Sequence, residues 1–320
     1  MKNVSFYNHE NIAKNLVFVD GLARAGKSLF SSVLPSLKRF EHINFFNLLE
    51  QVLPAVSFGK VSVNYAKTLI RVYLNELIYN IRIGRNVNFR YADQSGALNY
   101  RDPKTIFQRL GSEEGNSIVQ ELKTSDSYFP FQTHDMLVNL EYLNLLDIDF
   151  RMIALFRHPI DNIYSWWTRG WGERFGKDPL AFTIAIDYNC NALPWYCLSY
   201  EEEWLALNPM ERCIRTATDL IERSVQRYKE TPNKKDFYLL AFEDFVQNPD
   251  EEIKKICLFF KTETTVYTPQ AIQLERCPRV LKPEDRKRKL SEFQANVKRE
   301  LFDVLVGISK SYETDFYGLR

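Results

Sequence analysis

Apolar positions along the chain gather into short runs divided by polar, glycine-containing stretches, and the runs switch between strand-like and helix-like spacing. "NLVFVD" (Asn15–Asp20) is almost wholly apolar, is rich in β-branched residues and ends at a glycine, which predicts a strand buried on both faces. "SLFSSVLPSL" follows with helical spacing until Pro35, whose ring ends or kinks a helix. Val61 to Ile83 is the longest uninterrupted helical pattern before the midpoint, and "GRNVNFRYADQSGALNYRDP" after it reads as a loop. "YFPFQTH" (Tyr128–His134) predicts a second central strand, with a helix from Met136 to Leu146. "FRMIALF" (Phe150–Phe156) is the clearest buried strand, and a helix opens after it at Pro159, where a missing N–H costs nothing. Gly170 to Tyr200 is irregular and aromatic-rich. Beyond it the pattern predicts a helix over Met210–Lys229, a strand over Asp236–Asp244, a helix over Asp250–Phe260 and a last helix from about Ser291 to Ser311.

Strands alternating with helices argue for a parallel sheet covered on both faces, a three-layer α/β/α arrangement. At 320 residues, with no internal repeat or low-complexity tract, one domain is the economical reading, with an aromatic-rich insertion at about 166–200. Composition changes this picture little. An apolar share of 45% and a net charge of +1 suit a globular protein and give no electrostatic basis for binding nucleic acid. The five cysteines form no C-x-x-C pair, so neither a disulfide framework nor a zinc site is expected. No apolar leader segment or membrane span is visible, and the expected location is the cytoplasm.

The stretch "GLARAGKS" (Gly21–Ser28) is a G-x-x-x-x-G-K-S sequence between a predicted strand and a predicted helix. In that context backbone N–H groups and the helix start form a cradle for phosphate. A nucleotide triphosphatase also needs an aspartate at the end of an apolar strand to help hold Mg²⁺. The acids Glu243 and Asp244 are weak candidates, since a strand-end acid also serves to cap the next helix. "FRHPIDNIYSWW" carries a second anion signal. Arg157 ends a buried strand, where ligands of open α/β sheets bind, and Ser165 follows in the second turn of the next helix. A guanidinium fork and a hydroxyl brought together there can grip a phosphate dianion. The bland alternative is an arginine capping carbonyls and a serine bonding its own backbone.

Two anion sites at the ends of parallel strands suit a nucleotide phosphorylated at both ends of its ribose. Here the chain resembles the sulfotransferases that use 3′-phosphoadenosine 5′-phosphosulfate (PAPS). "GLARAGKS" matches that family's 5′-phosphosulfate loop, and Arg157, Pro159, Asp161 and Ser165 match its R-x-P-x-D…S segment for the 3′-phosphate. "LLAFEDFVQNPDEEIKKICLFF" resembles its Y/F-E-D-L…N-P unit, with Phe242, Glu243, Asp244, Asn248 and Pro249 in place. The resemblance implies a P-loop-like fold and PAPS as donor, with 3′,5′-bisphosphoadenosine as product and no metal. The loop residues Gly21, Ala23, Arg24, Ala25, Gly26, Lys27 and Ser28 would hold the phosphosulfate. Family loops read K/R-S/T-G-T/S-T/S; here Arg24 stands at the cation position and Lys27 replaces a hydroxyl. Both cations therefore compete for the bridging oxygen.

An acceptor hydroxyl or amine needs a base, and His134 follows a predicted central strand without flanking the phosphate-binding arginine. "QTHD" resembles the family's K-T-H segment, in which the histidine is the base, with Gln132 in place of the lysine; Asp135 is the fallback. His158, beside Arg157, reads as structural. In "RVLKPEDRKRKL" (Arg279–Leu290), Arg286 and Arg288 are the candidates for the family's basic segment over the 3′-phosphate, against the plain reading of a solvated charged face. The acceptor, a small molecule or carbohydrate, is expected against Trp166, Trp167, Trp171, Trp195 and Tyr196, unless these only pack the insertion. Arg85, Arg90 and Arg101 are the candidates to draw an anionic one. Two competitors stay open: a P-loop kinase or ATPase, and a non-catalytic nucleotide-binding protein of the same fold.

Overall fold

The computed structural model describes residues 5–319. Its strands are β1 (Leu16–Asp20), β2 (Asn44–Phe45), β3 (Phe129–Gln132), β4 (Phe150–Phe156), β5 (Ala185–Tyr188), β6 (Asn191–Pro194) and β7 (Phe237–Ala241). Five of them form one parallel sheet in the order β2-β3-β1-β4-β7, so β1 lies between β3 and β4. Side chains of a strand point alternately to its two faces. In β1, Leu16 and Phe18 accordingly join one apolar core while Val17 and Val19 join the other. In β4, Met152, Ala154 and Phe156 face the first core, and Ile153 and Leu155 the second. The first is covered by helices that include Ala66, Ile70, Ile163, Ile214 and Leu305, the second by Phe30, Val33, Ile253 and Ile256. The result is the three-layer α/β/α arrangement with a central parallel sheet.

Several elements differ from the pattern-based expectation. The strand predicted over Asp236–Asp244 stops at Ala241, whose partner Phe156 ends β4, and Phe242–Gln247 turns into a helix. The last helix is two, Pro283–Asn296 and Arg299–Asp315. They separate where the N–H of Lys298 donates to Glu211 Oε1 at 2.9 Å, and Asn208 Nδ2 donates to the Asn296 carbonyl at 3.1 Å. Periodicity cannot register such a tertiary interruption. The predicted helix after β3 starts as a 3₁₀ turn, Leu137–Asn139, before Leu140–Leu145. Within the region read as irregular, β5 and β6 pair as an antiparallel hairpin. Its turn residues Asn189 and Cys190 have φ of 51° and 63°, the positive values that two-residue hairpins favour. Helix Asn47–Ser57, with Pro54 inside it, has no counterpart in the pattern reading. Among the described residues no helix is long and apolar enough to cross a membrane.

Candidate functional site

The glycines of "GLARAGKS" are dictated by close approach. Gly21 leaves β1 at φ 146°, and a Cβ there would sit 2.3 Å from the Leu155 carbonyl oxygen of β4. Gly26, at φ 105°, would place a Cβ 2.3 Å from the Phe242 ring. After Gly26 the chain coils from Lys27 to Ser36 in three short pieces, 3₁₀, α and 3₁₀, with Pro35 in the last. Helix Pro159–Trp167 clamps this loop: Asn162 Nδ2 and Trp166 Nε1 both donate to the Ala23 carbonyl, at 2.8 and 2.6 Å. Arg157 Nη1 donates to the Arg24 carbonyl at 3.0 Å, and Arg24 Nε reaches Ser165 Oγ at 3.3 Å. The two predicted anion segments therefore meet, as neighbours across the β1–β4 pairing.

The two loop cations occupy different places. Arg24 is exposed on the open side of the loop, as is Ser28. Burial, then the nearby guanidinium groups of Arg169 and Arg157, lower the Arg24 pKa below its usual value. An anion among these groups relieves that repulsion. Lys27 is only 3% exposed, and its Nζ donates to the carbonyls of Gly21 and Leu22, stapling the loop from beneath. Ala25 is buried with it.

Beside Arg157 lies a cavity of about 750 Å³. Arg157 Nε is buried there with no hydrogen-bond partner among the described residues, and its guanidinium stacks 4.9 Å above the Phe242 ring. A buried, unpartnered N–H of a cation is costly and marks a place for an acceptor oxygen. Arg286 lines the same cavity and bonds Asp161 through Nε and Nη2, at 3.2 and 2.9 Å; Lys289 takes the other Asp161 oxygen at 2.8 Å. Burial opposes ionisation of Asp161, but these cations hold its pKa below the usual carboxylate value. Arg288 is not brought to the site; it bonds the Tyr164 hydroxyl and Asp285 with over half its side chain in solvent. His158 is buried, with Nε2 2.8 Å from Glu313 Oε1, and it lines the same cavity as Arg157.

On the other side of the loop, the turn after β3 carries His134 and Asp135. Asp20, the buried last residue of β1, fixes that turn by accepting from Thr133 Oγ1, Met136 N–H and Leu137 N–H at 3.0, 3.1 and 3.0 Å. Glu50 of helix Asn47–Ser57 accepts the His134 backbone N–H at 2.9 Å, and its Oε1 lies 3.2 Å from His134 Nδ1. Desolvation, then Lys27, push the imidazole down to about 3, so it is neutral at pH 7. Desolvation raises Glu50 to about 8, partly opposed by Lys27, and raises Asp135 to about 6. This is a cluster of opposed titratable groups, the environment in which proton transfer is tuned.

His134 opens onto a second cavity of about 860 Å³, reaching from Ala23 to the 171–196 segment. Trp171, Trp195 and Tyr196 line it, whereas Trp166 holds the loop and Trp167 packs edge-on against Tyr164. Arg85, Arg90 and Arg101 do not line it: Arg85 pairs with Glu114, Arg90 with Asp93 at 3.1 Å, and Arg101 donates to the Leu37 carbonyl at 3.0 Å. Glu50, Asp20 and Asn162 were missed by the sequence reading. Their types are common in caps and turns, and only the parallel pairing of β2 beside β3 brings Glu50 to His134.

The chain matches the family model of the sulfotransferase domain over residues 27–277. No curated protein matches it in sequence. Among solved structures it is similar to the sulfotransferase domain of the Synechococcus olefin synthase, with a TM-score of 0.48 and 14% identity over 98% of this chain and 99% of that one. The sulfotransferase domain from the curacin biosynthetic pathway gives 0.42 and 13%, over 88% and 98%. A sulfotransferase from Mycobacterium avium gives 0.40 and 11%, over 89% and 77%. With the family model spanning most of its length, from Lys27 to Cys277, this chain belongs to the sulfotransferase domain family.

Proposed function

We propose that the protein moves a sulfuryl group from PAPS to a hydroxyl or amine of an acceptor held in the His134 cavity. The observation that carries this reading is the junction of Arg24, Arg157 and Ser165, which joins the glycine loop of β1 to the end of β4. A donor with phosphate at both the 5′ and 3′ positions suits it: the loop would take one group, and the Arg157 guanidinium, whose Nε has no partner among the described residues, the other. Arg286 supplies further positive charge near the 3′ end.

The acceptor oxygen attacks sulfur; its new S–O bond forms as the S–O bond to the 5′-phosphate breaks, and the electron pair stays on the phosphate. Arg24, on the open side of the loop, is the cation assigned to that developing charge, with Lys27 holding the loop that presents it. The acceptor proton passes to His134. With Nδ1–H directed at Glu50, Nε2 is the nitrogen left to take it. An ionised Glu50 then stabilises the imidazolium. Asp135 is the neighbouring carboxylate that can relay the proton onward.

The test is incubation with sulfur-labelled PAPS and a mixed panel of alcohols, phenols, amines and sugars. Label transferred by the native chain and not by His134→Ala supports the reading. Nucleotide binding with no transfer to any acceptor points to a non-catalytic binding protein instead.

A further inference from the structure

The walls of the His134 cavity say more about the acceptor than its floor does. Among the described residues no lysine or arginine lines this cavity. The ionisable side chains that do, besides His134, are carboxyls: Glu50, Asp135 and Asp178, the last already tied to Arg174 at 2.7 Å. Lys27, whose charge acts on the His134 imidazole, is committed to two loop carbonyls, and Arg174 is paired with Asp178. An anionic acceptor would have to shed its water against this surface with no counter-charge waiting, a large penalty in a half-enclosed site. The three arginines of the 84–101 loop, bound elsewhere, do not supply one.

Apolar groups make up the rest. Phe175, Trp195 and Tyr196 are buried in the wall, with Trp171 beside them. At the mouth Leu180 and Phe182 stand 62% and 77% exposed, opposite Phe45 at 37%. Gln51 Nε2 donates to the Phe182 carbonyl at 3.1 Å, which holds this rim against helix Asn47–Ser57. Large apolar side chains left in solvent around a concave site are the signature of a surface completed by its ligand. A volume of about 860 Å³ takes a molecule of two or three fused rings or a chain of similar bulk.

We propose that the acceptor is an uncharged hydroxyl compound with an apolar ring system or chain, and that this cavity discriminates against anionic acceptors. The proposal rests on the reading of this cavity as the acceptor site. Gln51, on the cavity wall, is a specificity-determining position: a cation there would supply the missing counter-charge.

Isothermal titration of 2-naphthol, its anionic congener 6-hydroxy-2-naphthoate and methyl β-glucoside into the full chain saturated with 3′,5′-bisphosphoadenosine tests this. The naphthol should bind about tenfold or more tighter than either other compound, and Gln51→Lys should recover most of the carboxylate's deficit. Phe182→Ala should weaken the naphthol about threefold by removing rim contact. Equal or reversed ranking, binding of none of the three, or a Gln51→Lys variant that leaves the carboxylate deficit unchanged would overturn the proposal. Titration with the bisphosphate alone reads the donor assignment separately. If that nucleotide fails to bind, the donor reading falls, and the acceptor ranking is then measured on the protein without it.

Discussion

The two cavities flanking the glycine loop are similar in size and opposite in chemistry. The Arg157 cavity is walled by ion pairs, with Asp161 held between Arg286 and Lys289 and with Glu243, Asp285 and Glu313 close by. The His134 cavity has aromatic walls, no cation among the described residues, and one cluster of titratable groups on its floor. A fixed, highly charged partner is best gripped by prearranged charges whose own pairs hold them in place. A reacting acceptor is better served by a dry wall, where a single imidazole can stay neutral and take a proton. The contrast supports the proposed division into a donor side suited to affinity and an acceptor side suited to chemistry and selection.

The largest expected effect breaks the chemistry and spares the grip. His134→Ala should lower turnover by about 10²- to 10⁴-fold while the affinity for 3′,5′-bisphosphoadenosine stays unchanged, measured by steady-state kinetics alongside nucleotide titration. Parallel loss of both would mean that the two cavities are not separable in function.

Glu50 should give a smaller effect, with a pH signature. Its pKa, raised from 4.5 to about 8, means that only at alkaline pH does its full negative charge stabilise the imidazolium. Turnover should therefore rise with pH toward a plateau with an apparent pKa of about 8, and the histidine, held down to about 3, should add no step near neutrality. Glu50→Gln should remove the rise and cost about tenfold at the plateau. The same shift affects stability. The native state keeps a proton on Glu50 that the unfolded chain loses above pH 4.5, so this contribution is fully present below 4.5 and lost as pH rises through about 8. A thermal-unfolding series should show that decline flattened in Glu50→Gln.

The smallest effect concerns the two arginines of the basic segment. Arg286→Ala opens the ion pairs around Asp161 and should weaken bisphosphate binding about threefold. Arg288→Ala, whose side chain faces solvent and Tyr164, should leave it unchanged. Equal losses in both would return the segment to a diffuse electrostatic role.

The proposed donor side was far more legible in the sequence than the proposed acceptor side. Glycines forced by a 2.3 Å approach, an arginine at a strand end and a serine two turns on are local consequences of a strand-loop-helix path, and local spacing preserves them. Arg24 and Lys27 could not be told apart, since residue type does not say which cation turns inward. The acceptor cavity is assembled from helix Asn47–Ser57, the turn after β3 and the 171–196 segment, parts far apart in the chain. Glu50 meets His134 across 84 residues of sequence, a contact that no local pattern encodes. The arginines of the 84–101 loop misled for the converse reason: their charge was visible, but the carboxylates and carbonyls that occupy them were not.

The central claim is that the Arg24–Arg157–Ser165 junction reads a nucleotide phosphorylated at both ends of its ribose. Calorimetric titration of 3′,5′-bisphosphoadenosine, adenosine 5′-phosphate and ATP with Mg²⁺ into the native chain and Arg157→Ala tests it most directly. The bisphosphate should bind roughly 10- to 100-fold tighter than adenosine 5′-phosphate, and most of that advantage should vanish in Arg157→Ala. Tighter binding of ATP with Mg²⁺ than of the bisphosphate would contradict the account.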